Sequence, residues 1–315
     1  MKFHLISAIS VLMSILSGSV FAEDLQSSYV QQEADSDYVL PCACGTGCNK
    51  TSLRTSFNSG RVASQCCKQK TYFVTAESTF FRYHRADGVR LGDTSGTGDP
   101  NLGVEFDYEY SPRVTAGFYG TDGFGIRARW WRYDHAEPAF DPGFGSLGVD
   151  TYNIDLEFVD QISLTCYTDI ELFAGFRYND FDENFVNELD SRVVNINSSA
   201  YGGLVGVQVN RTSKCGALFF ARARAAVLMD DGNVSDSENE SVTRLDTTQG
   251  MTEIASGMEF ATCLGPAILK LTVAAEMQNW FNFSANFGAG VAASDVGGVA
   301  DVGFGGLVVS ASLEF

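Results

Sequence analysis

Charged residues occupy every second position in several segments of this 315-residue chain. Arg127 and Arg129 alternate with apolar residues, and so do Asp155 and Glu157. On a strand, this spacing places the charges on one face and the apolar side chains on the other. If the apolar faces meet lipid, the charges line a lumen and pair between neighbouring strands, the two arginines with the two acids. The candidate pore-lining residues are Glu105, Asp107, Glu109, Arg127, Arg129, Asp155, Glu157, Glu171, Arg177, Arg222, Arg224, Glu253, Lys270 and Glu276.

Eight cysteines form a second group that could do chemistry. Five lie in a polar segment near the start of the chain, and the other three lie in or beside predicted tight turns. In an oxidising compartment this placement favours disulfides. The close spacing of the first three could instead hold a metal ion, but no histidine lies near them, so no metal site is predicted. The disulfide candidates are Cys42, Cys44, Cys48, Cys66, Cys67, Cys166, Cys215 and Cys263.

Two of the three histidines, His84 and His135, lie at the predicted outer ends of strands. A histidine beside an aspartate could activate water, but no G-x-S-x-G motif is present. A hydrolase at the rim of a barrel is therefore only a second alternative, and no catalytic residue is predicted. Aspartates near the histidines in sequence are Asp87, Asp134 and Asp141.

The acidic segment 230–240 carries oxygen donors but lacks the spacing of a calcium-binding EF-hand loop. It is predicted to be a solvated acidic loop. The net charge of −18 argues against binding to nucleic acid.

Period-2 alternation dominates from Tyr72 onward. Long and short links alternate between the predicted strands, as in outer-membrane barrels, which have short periplasmic turns and long outer loops. The predicted strands are 71–83, 102–119, 124–134, 150–162, 166–179, 192–210, 216–229, 248–262, 266–282 and 300–315. The predicted long links are 84–101, 135–149, 180–191, 230–247 and 283–299.

A soluble β-sandwich would also alternate, but many of these strands are long enough to cross a membrane at a tilt. Aromatic residues gather towards the strand ends, as interfacial girdles do. Pro112 could mark a hairpin, but we favour one long strand with a bulge because the parity continues past it. The predicted fold class is an all-β, closed antiparallel transmembrane β-barrel of about ten strands, with twelve possible, preceded by an irregular Cys-rich leader.

The predicted organisation is a signal peptide over 1–22 cleaved near Ala22, a periplasmic Cys-rich leader over 23–70, and an outer-membrane β-barrel over 71–315. The barrel would contact outer-membrane lipid, and its terminal Phe315 would direct it to the barrel assembly machinery. Disulfide-linked partners in the cell envelope are a further possibility.

Three segments carry a family resemblance: Gly123–His135, Asp155–Glu157 and Glu171–Tyr178. They resemble the pore-forming outer-membrane proteins typified by the Legionella major outer-membrane protein, with relatives in planctomycetes. The resemblance covers roughly 71–315 and implies a porin-like channel without a cofactor. The Cys-rich leader departs from the simplest pattern of this family.

The predicted function is a porin-like outer-membrane channel for ions or small solutes, with a narrow charged lumen. Ten strands lie near the small end of the range, because eight leave room for little besides side chains and porins use 16–18. The alternative is therefore a structural barrel whose lumen is closed by salt bridges and which is disulfide-linked to envelope partners. We expect the chain not to be an enzyme.

Overall fold

Ten strands follow one another along the chain, and the described residues include no membrane-crossing helix. The computed structural model describes residues 70–85, 106–138, 145–165, 167–187, 191–213, 216–237, 241–285 and 299–315. The strands are β1 (Thr71–Arg85), β2 (Glu109–Tyr119), β3 (Phe124–Pro138), β4 (Ser146–Thr165), β5 (Thr168–Asn187), β6 (Arg192–Thr212), β7 (Leu218–Asp236), β8 (Ser241–Leu264), β9 (Ala267–Ala285) and β10 (Val299–Glu314).

Every strand pairs with its neighbours in the sequence, and β1 closes the barrel by pairing with β10. The closing ladder runs antiparallel from Phe73↔Glu314 to Arg85↔Val302. Beyond it, Tyr72 and Phe315 exchange two backbone hydrogen bonds of 2.9 and 3.0 Å. Closure satisfies the backbone groups that an open sheet edge would expose to lipid. The predicted closed antiparallel barrel of ten strands is confirmed.

Several strands continue well past their predicted ends. β5 reaches Asn187 and β7 reaches Asp236, while β8 begins at Ser241. The predicted long links 180–191 and 230–247 are therefore wrong over most of their length. The expected acidic loop lies largely in β7, where the Asp230 carboxylate accepts a hydrogen bond of 2.5 Å from the Ser198 hydroxyl.

The second strand differs from its prediction at two points. It begins at Glu109, and residues 106–108, which belong to the predicted strand, lie outside any strand. The β1–β2 register runs unbroken through Ser78↔Pro112, so the predicted bulge is wrong and the prediction of one strand is right. The β2–β3 ladder stops at Arg113↔Trp131, next to the proline. A proline has no N–H to donate, and here it lies where pairing with β3 ends.

An apolar belt surrounds one half of the barrel. On β1 it runs from Tyr72 to Phe80, and on β10 from Leu307 to Phe315. These lengths match the roughly 9–11 residues with which a tilted strand crosses a membrane. Aromatic side chains mark both edges, as in barrels that lie in lipid. Belt residues that are exposed on the outer surface are Tyr72, Val74, Phe80, Tyr110, Val114, Phe118, Phe124, Trp130, Ile154, Leu156, Phe158, Leu172, Phe176, Tyr178, Tyr201, Val205, Phe219, Val227, Met229, Leu271, Val273, Met277, Leu307, Val309, Leu313 and Phe315.

The strands extend beyond this belt into what we call the projecting end, away from the short turns. Its outer surface is polar, with exposed side chains such as Arg132, Asp134 and Asp182. Its inner surface is apolar, since Leu147 and Val149 of β4 are buried. In the belt, the same strand turns apolar residues outwards. The apolar face therefore changes from outside to inside along one continuous strand.

Candidate functional site: the lumen and its outer rim

A cavity of about 210 Å³ opens at the end of the barrel that carries the short turns. We call it the vestibule. Its wall includes Gly120 and Gly123 of the β2–β3 turn, together with hydroxyl groups of Ser310 and Ser312. The predicted lumen residue Lys270 also lies in this wall and forms an ion pair with Glu314. Further in, the wall is formed by arginines and glutamates.

Those arginines and glutamates belong to a charged layer that fills the lumen at the level of the belt. Opposite charges contact each other throughout it, and most of its side chains are almost completely buried. The layer contains six arginines, Arg113, Arg127, Arg129, Arg177, Arg222 and Arg224, and six acids, Glu77, Asp155, Glu157, Glu171, Glu253 and Glu276. Its formal charge is therefore balanced.

Asp155 is held by two arginines of the charged layer. Arg177 on the next strand donates to both of its oxygens, at 2.6 and 2.7 Å. Arg224 on β7 reaches one of the same oxygens from across the lumen at 3.2 Å. This two-point contact uses the fork geometry of the guanidinium group and holds the carboxylate firmly.

The cross-strand pairs predicted from sequence are half right. Arg127 contacts Glu157, its partner in the β3–β4 register. Arg129 is in register with Asp155 but contacts Glu253 on β8 instead, at 3.2 Å. The prediction for Arg129 is wrong: Arg177 and Arg224 contact Asp155 in its place. A pair across the lumen needs a closed barrel, which strand alternation alone does not specify.

Sequence reasoning missed Arg113 and Glu77, which belong to the same layer. Arg113 is fully buried and donates to Glu276 at 2.5 and 2.9 Å and to Glu77 at 3.0 Å. The alternation of β2 predicts the position of Arg113: Val114 and Phe118 face outwards, so residue 113 faces inwards.

Above the charged layer lies an aromatic layer, which we define as Phe81, Tyr83, Trp131, Tyr133 and Phe304. All five side chains have exposed fractions of 0–1%. The Phe304 ring centroid lies 5.1, 5.2 and 5.3 Å from those of Tyr133, Tyr83 and Trp131. The Trp131 indole donates to the Ser111 hydroxyl at 3.1 Å, so its polar atom is satisfied. The lumen is filled at this level too.

A polar contact lies within the projecting end beside the aromatic layer. The Tyr83 hydroxyl donates to Glu183 at 2.8 Å, and Arg85 donates to the same carboxylate at 2.5 and 2.6 Å. Burial first, and then the charge of Glu183, raises the pKa of Tyr83 well above its ordinary value. Tyr83 is therefore neutral and acts as a donor.

The two rim histidines point to opposite sides of the wall. His84 lies on the outer surface, where its ring covers Gly303. His135 is half-buried on the inner side, beside Glu109 and Glu137. The structure therefore does not bring them into one site. The nearby Asp87 and Asp141 lie outside the described residues, and the hydrolase alternative stays a prediction.

The remaining predicted residues divide into those the structure places and those outside its ranges. Asp107 is exposed and precedes β2, while its neighbour Phe106 points inwards against Tyr83 at 5.0 Å. The inward position predicted for Asp107 is wrong, because strand alternation does not extend there. Glu105 lies outside the described residues. Cys263, beside the β8–β9 turn, is disulfide-bonded, and the other disulfide candidates lie outside the described residues.

No protein-family model and no curated protein matches this chain. Among solved structures it is similar to the outer membrane protease OmpT of Escherichia coli, with 9% identity, a TM-score of 0.48, and coverage of 79% of this chain and 97% of that one. It is also similar to a major outer membrane protein of Thermus thermophilus, with 11% identity, a TM-score of 0.37, and coverage of 78% and 99%. The toluene transporter TbuX of Ralstonia pickettii matches at 6% identity and a TM-score of 0.34, covering 78% and 89%. At these values the similarities carry no argument about function.

Proposed function

We propose that this protein is an outer-membrane barrel with a closed lumen, acting as a structural element of the cell envelope that holds its projecting end at the cell surface. One observation carries the proposal: the lumen is filled by the charged layer and then by the aromatic layer. Glu253, at the centre of the charged layer, is fully buried and within reach of Arg129, Arg222 and Arg224.

An ion crossing the lumen would have to separate buried pairs such as Arg177–Asp155. Removing one partner of a buried pair typically costs about 3–5 kcal/mol, because a charge is left without compensation. The ion would then enter the aromatic layer, where the packed rings offer little room for its hydration shell. Both barriers oppose free diffusion.

Conductance of the folded, full-length protein in planar bilayers tests the closed lumen. We expect no stepwise current from the wild-type chain under conditions in which insertion is verified by protease protection. Reproducible unitary steps from the wild type would contradict the proposal.

A narrow, gated channel is the second candidate, and the vestibule favours it. Arg127, Arg129, Arg222 and Arg224 face this water-accessible cavity, as a selective constriction requires. If the aromatic layer is the gate, Phe304→Ala produces conductance and Phe158→Ala, on the lipid face, does not. In that conducting variant, Arg127→Glu together with Arg129→Glu should shift the ion selectivity towards cations. A silent Phe304→Ala barrel that is fully folded would contradict the channel.

The location and sidedness of the barrel are part of the same proposal. The apolar belt supports a membrane location, and the short turns at the vestibule support a periplasmic position for that end. A cysteine introduced at Asp134, on the projecting end, should react with an impermeant maleimide on intact cells. A cysteine at Thr121, in the β2–β3 turn, should react only after the outer membrane is permeabilised. The unaltered chain measures the background from its own cysteines, and the reverse pattern would contradict this orientation.

Links from the Cys-rich leader to envelope partners remain part of the proposal. The disulfide at Cys263 supports an oxidising compartment. Non-reducing gels of whole envelopes should show a reductant-sensitive band of higher mass. A single monomer band with and without reductant would contradict intermolecular links and leave the closed lumen untouched.

A further inference from the structure

Three side chains at the rim of the projecting end converge on the inner side of the wall, and we call them the rim triad: Glu109, His135 and Glu137. Nε2 of His135 lies 2.8 Å from a carboxylate oxygen of Glu137 and 3.6 Å from one of Glu109. One ligand atom from each residue lies within 4.8 Å of the other two. All three side chains are half-buried.

The rim triad carries more negative charge than its surroundings neutralise. Even a protonated His135 would balance only one of the two carboxylates. Among the described residues, neither Glu109 nor Glu137 forms an ion pair with a lysine or arginine. The nearest arginine on the same strand, Arg132, faces outwards and pairs with Asp134 and Asp150. A half-buried site with surplus carboxylate charge favours a bound cation.

A second observation comes from Tyr133, directly below the rim triad on the same face of β3. Its side chain is fully buried, and its hydroxyl has no hydrogen-bond partner of good geometry among the described residues. The Tyr133 ring is in edge contact with the His135 ring of the triad, with the two ring centroids 6.5 Å apart. A buried hydroxyl that makes no hydrogen bond is destabilising. A water molecule bound to a metal ion in the triad would offer this hydroxyl a hydrogen-bond partner.

We propose that the rim triad binds a divalent transition-metal ion, with Zn²⁺ as the ion that fits it best. One imidazole nitrogen with carboxylate oxygens suits zinc, whereas calcium and magnesium prefer sites made of oxygen alone. Bonds of about 2.0–2.2 Å in a tetrahedral site place ligand atoms roughly 3.3–3.6 Å apart. The two separations from the imidazole nitrogen, 2.8 and 3.6 Å, lie below this range and at its upper end. Three protein ligands leave a fourth position for water.

The position of the rim triad suggests what the ion would do. Glu109 belongs to the part of β2 that lies beyond the last rung of the β2–β3 ladder, at Arg113↔Trp131. His135 and Glu137 belong to the facing part of β3. A bound ion would join these two strands where they have no backbone hydrogen bonds to each other. It would therefore hold the two strands together beyond Arg113, where their ladder ends.

Titration of the untagged, full-length barrel in detergent, stripped with EDTA and kept free of reductant, tests the site. We expect one Zn²⁺ site by calorimetry and a rise in the melting temperature that depends on zinc concentration. His135→Ala should weaken zinc binding at least about tenfold and abolish the thermal shift, since even outer-shell changes cost 10–100-fold. Glu137→Gln should have a similar effect. Ca²⁺ should bind more weakly than Zn²⁺.

His84→Ala is the matched control, because it removes a histidine at the same end of the barrel and keeps every cysteine. Its zinc affinity should equal that of the wild type. Heat-dependent gel mobility verifies that each variant is folded. Zinc binding that survives His135→Ala, or that falls equally in His84→Ala, overturns the proposal. Because conductance is not measured here, failure of this site leaves the proposed closed lumen unaffected.

Discussion

The membrane-embedded half and the projecting end use the same strands and opposite chemistry. On β4, Ile154 and Leu156 turn outwards in the belt, while Leu147 and Val149 turn inwards beyond it. Inside the belt half, the lumen holds the charged layer. Inside the projecting half, it holds packed rings and aliphatic side chains. The outer solvent therefore decides which face is apolar: lipid around the belt, water around the projecting end.

This inversion needs no break in the sheet. Across the change of chemistry on β4 and β5, the register stays continuous from Ser146↔Val186 to Ser163↔Asp169. A shift of one residue would have moved every side chain to the other face. Instead the backbone continues unchanged, and only the residue types exchange places.

The largest effect should follow from removing a charge at the centre of the charged layer. Glu253→Ala removes the buried carboxylate that Arg129, Arg222 and Arg224 all contact and leaves the layer with one uncompensated positive charge, which should lower the free energy of unfolding by about 3–5 kcal/mol. Urea unfolding of the folded barrel in bilayers, followed by tryptophan fluorescence, measures this. The matched control is Asp134→Asn, an exposed partner of Arg132, with an expected loss below about 1 kcal/mol. Equal losses would contradict the contrast between the two halves.

The next effect concerns the aromatic layer. Phe304→Ala removes a fully buried ring that contacts Tyr83, Trp131 and Tyr133, and should cost about 3 kcal/mol. Phe158→Ala removes a ring of the same size from the lipid face and should cost less, because lipid fills the space. A larger loss for Phe158→Ala would mean that the projecting end is not a packed core. The same unfolding experiment applies.

An arginine introduced on the outer surface of the barrel should give a smaller change in the free energy of unfolding. Leu156→Arg places a charge in the middle of the belt, at an expected cost of about 2 kcal/mol or more. Asn197→Arg, on the outer surface of the projecting end and in register with Asp182, should be close to neutral. If both arginines are tolerated equally, the belt does not face lipid. Unfolding in bilayers is required, since detergent would soften the difference.

The smallest effect is a titration on the outer surface of the projecting end. Burial against the wall, and then the charge of Arg82, lowers the pKa of His84 from its ordinary value of 6.5. Above about pH 6.5 the ring is neutral in both folded and unfolded chains and contributes nothing to pH dependence. As the pH falls below that value, the unfolded chain takes up the proton first, so the folded barrel loses stability.

Proton titration of His84 by NMR, with His135→Ala used for assignment, checks this direction. Arg82→Gln should raise the pKa only partly, because burial is the larger cause. A pKa above the ordinary value of 6.5 in the unaltered barrel would contradict this direction.

Sequence alternation was sufficient for the belt and insufficient beyond it. Strands such as β9 were found because apolar residues recur at every second position there. The segments 180–187 and 230–236 do not continue the outward apolar pattern, because their apolar residues, such as Phe181 and Val234, have the opposite parity and are buried. When only the outward positions are followed, the apolar pattern stops where the apolar residues move to the inward positions. This move marks the point where the strand leaves the membrane.

The sequence was sufficient to predict which charged residues face the lumen, but not which of them pair with each other. Parity alone assigns Arg127, Glu157 and Glu276 to the lumen, where the structure places them. The partner of Arg129 was out of reach, because Glu253 lies five strands away along the chain and meets it only after closure. The rim triad was equally hidden, since it depends on where β2 begins and how its register places Glu109 opposite β3.

The pairing of β1 with β10 sets the order in which this barrel can fold. The seam joins residues at opposite ends of the described barrel, such as Phe73 and Glu314, so it is the contact with the greatest sequence separation. Contacts that span the lumen, such as Arg113 with Glu276, need the sheet to curl round before they can form. Until then these charges remain hydrated, and the inner face of an unclosed sheet is in contact with water. Pairing of β1 with β10 and the loss of water from the charged layer are therefore one late event. The same step completes the wall of the barrel and closes its lumen.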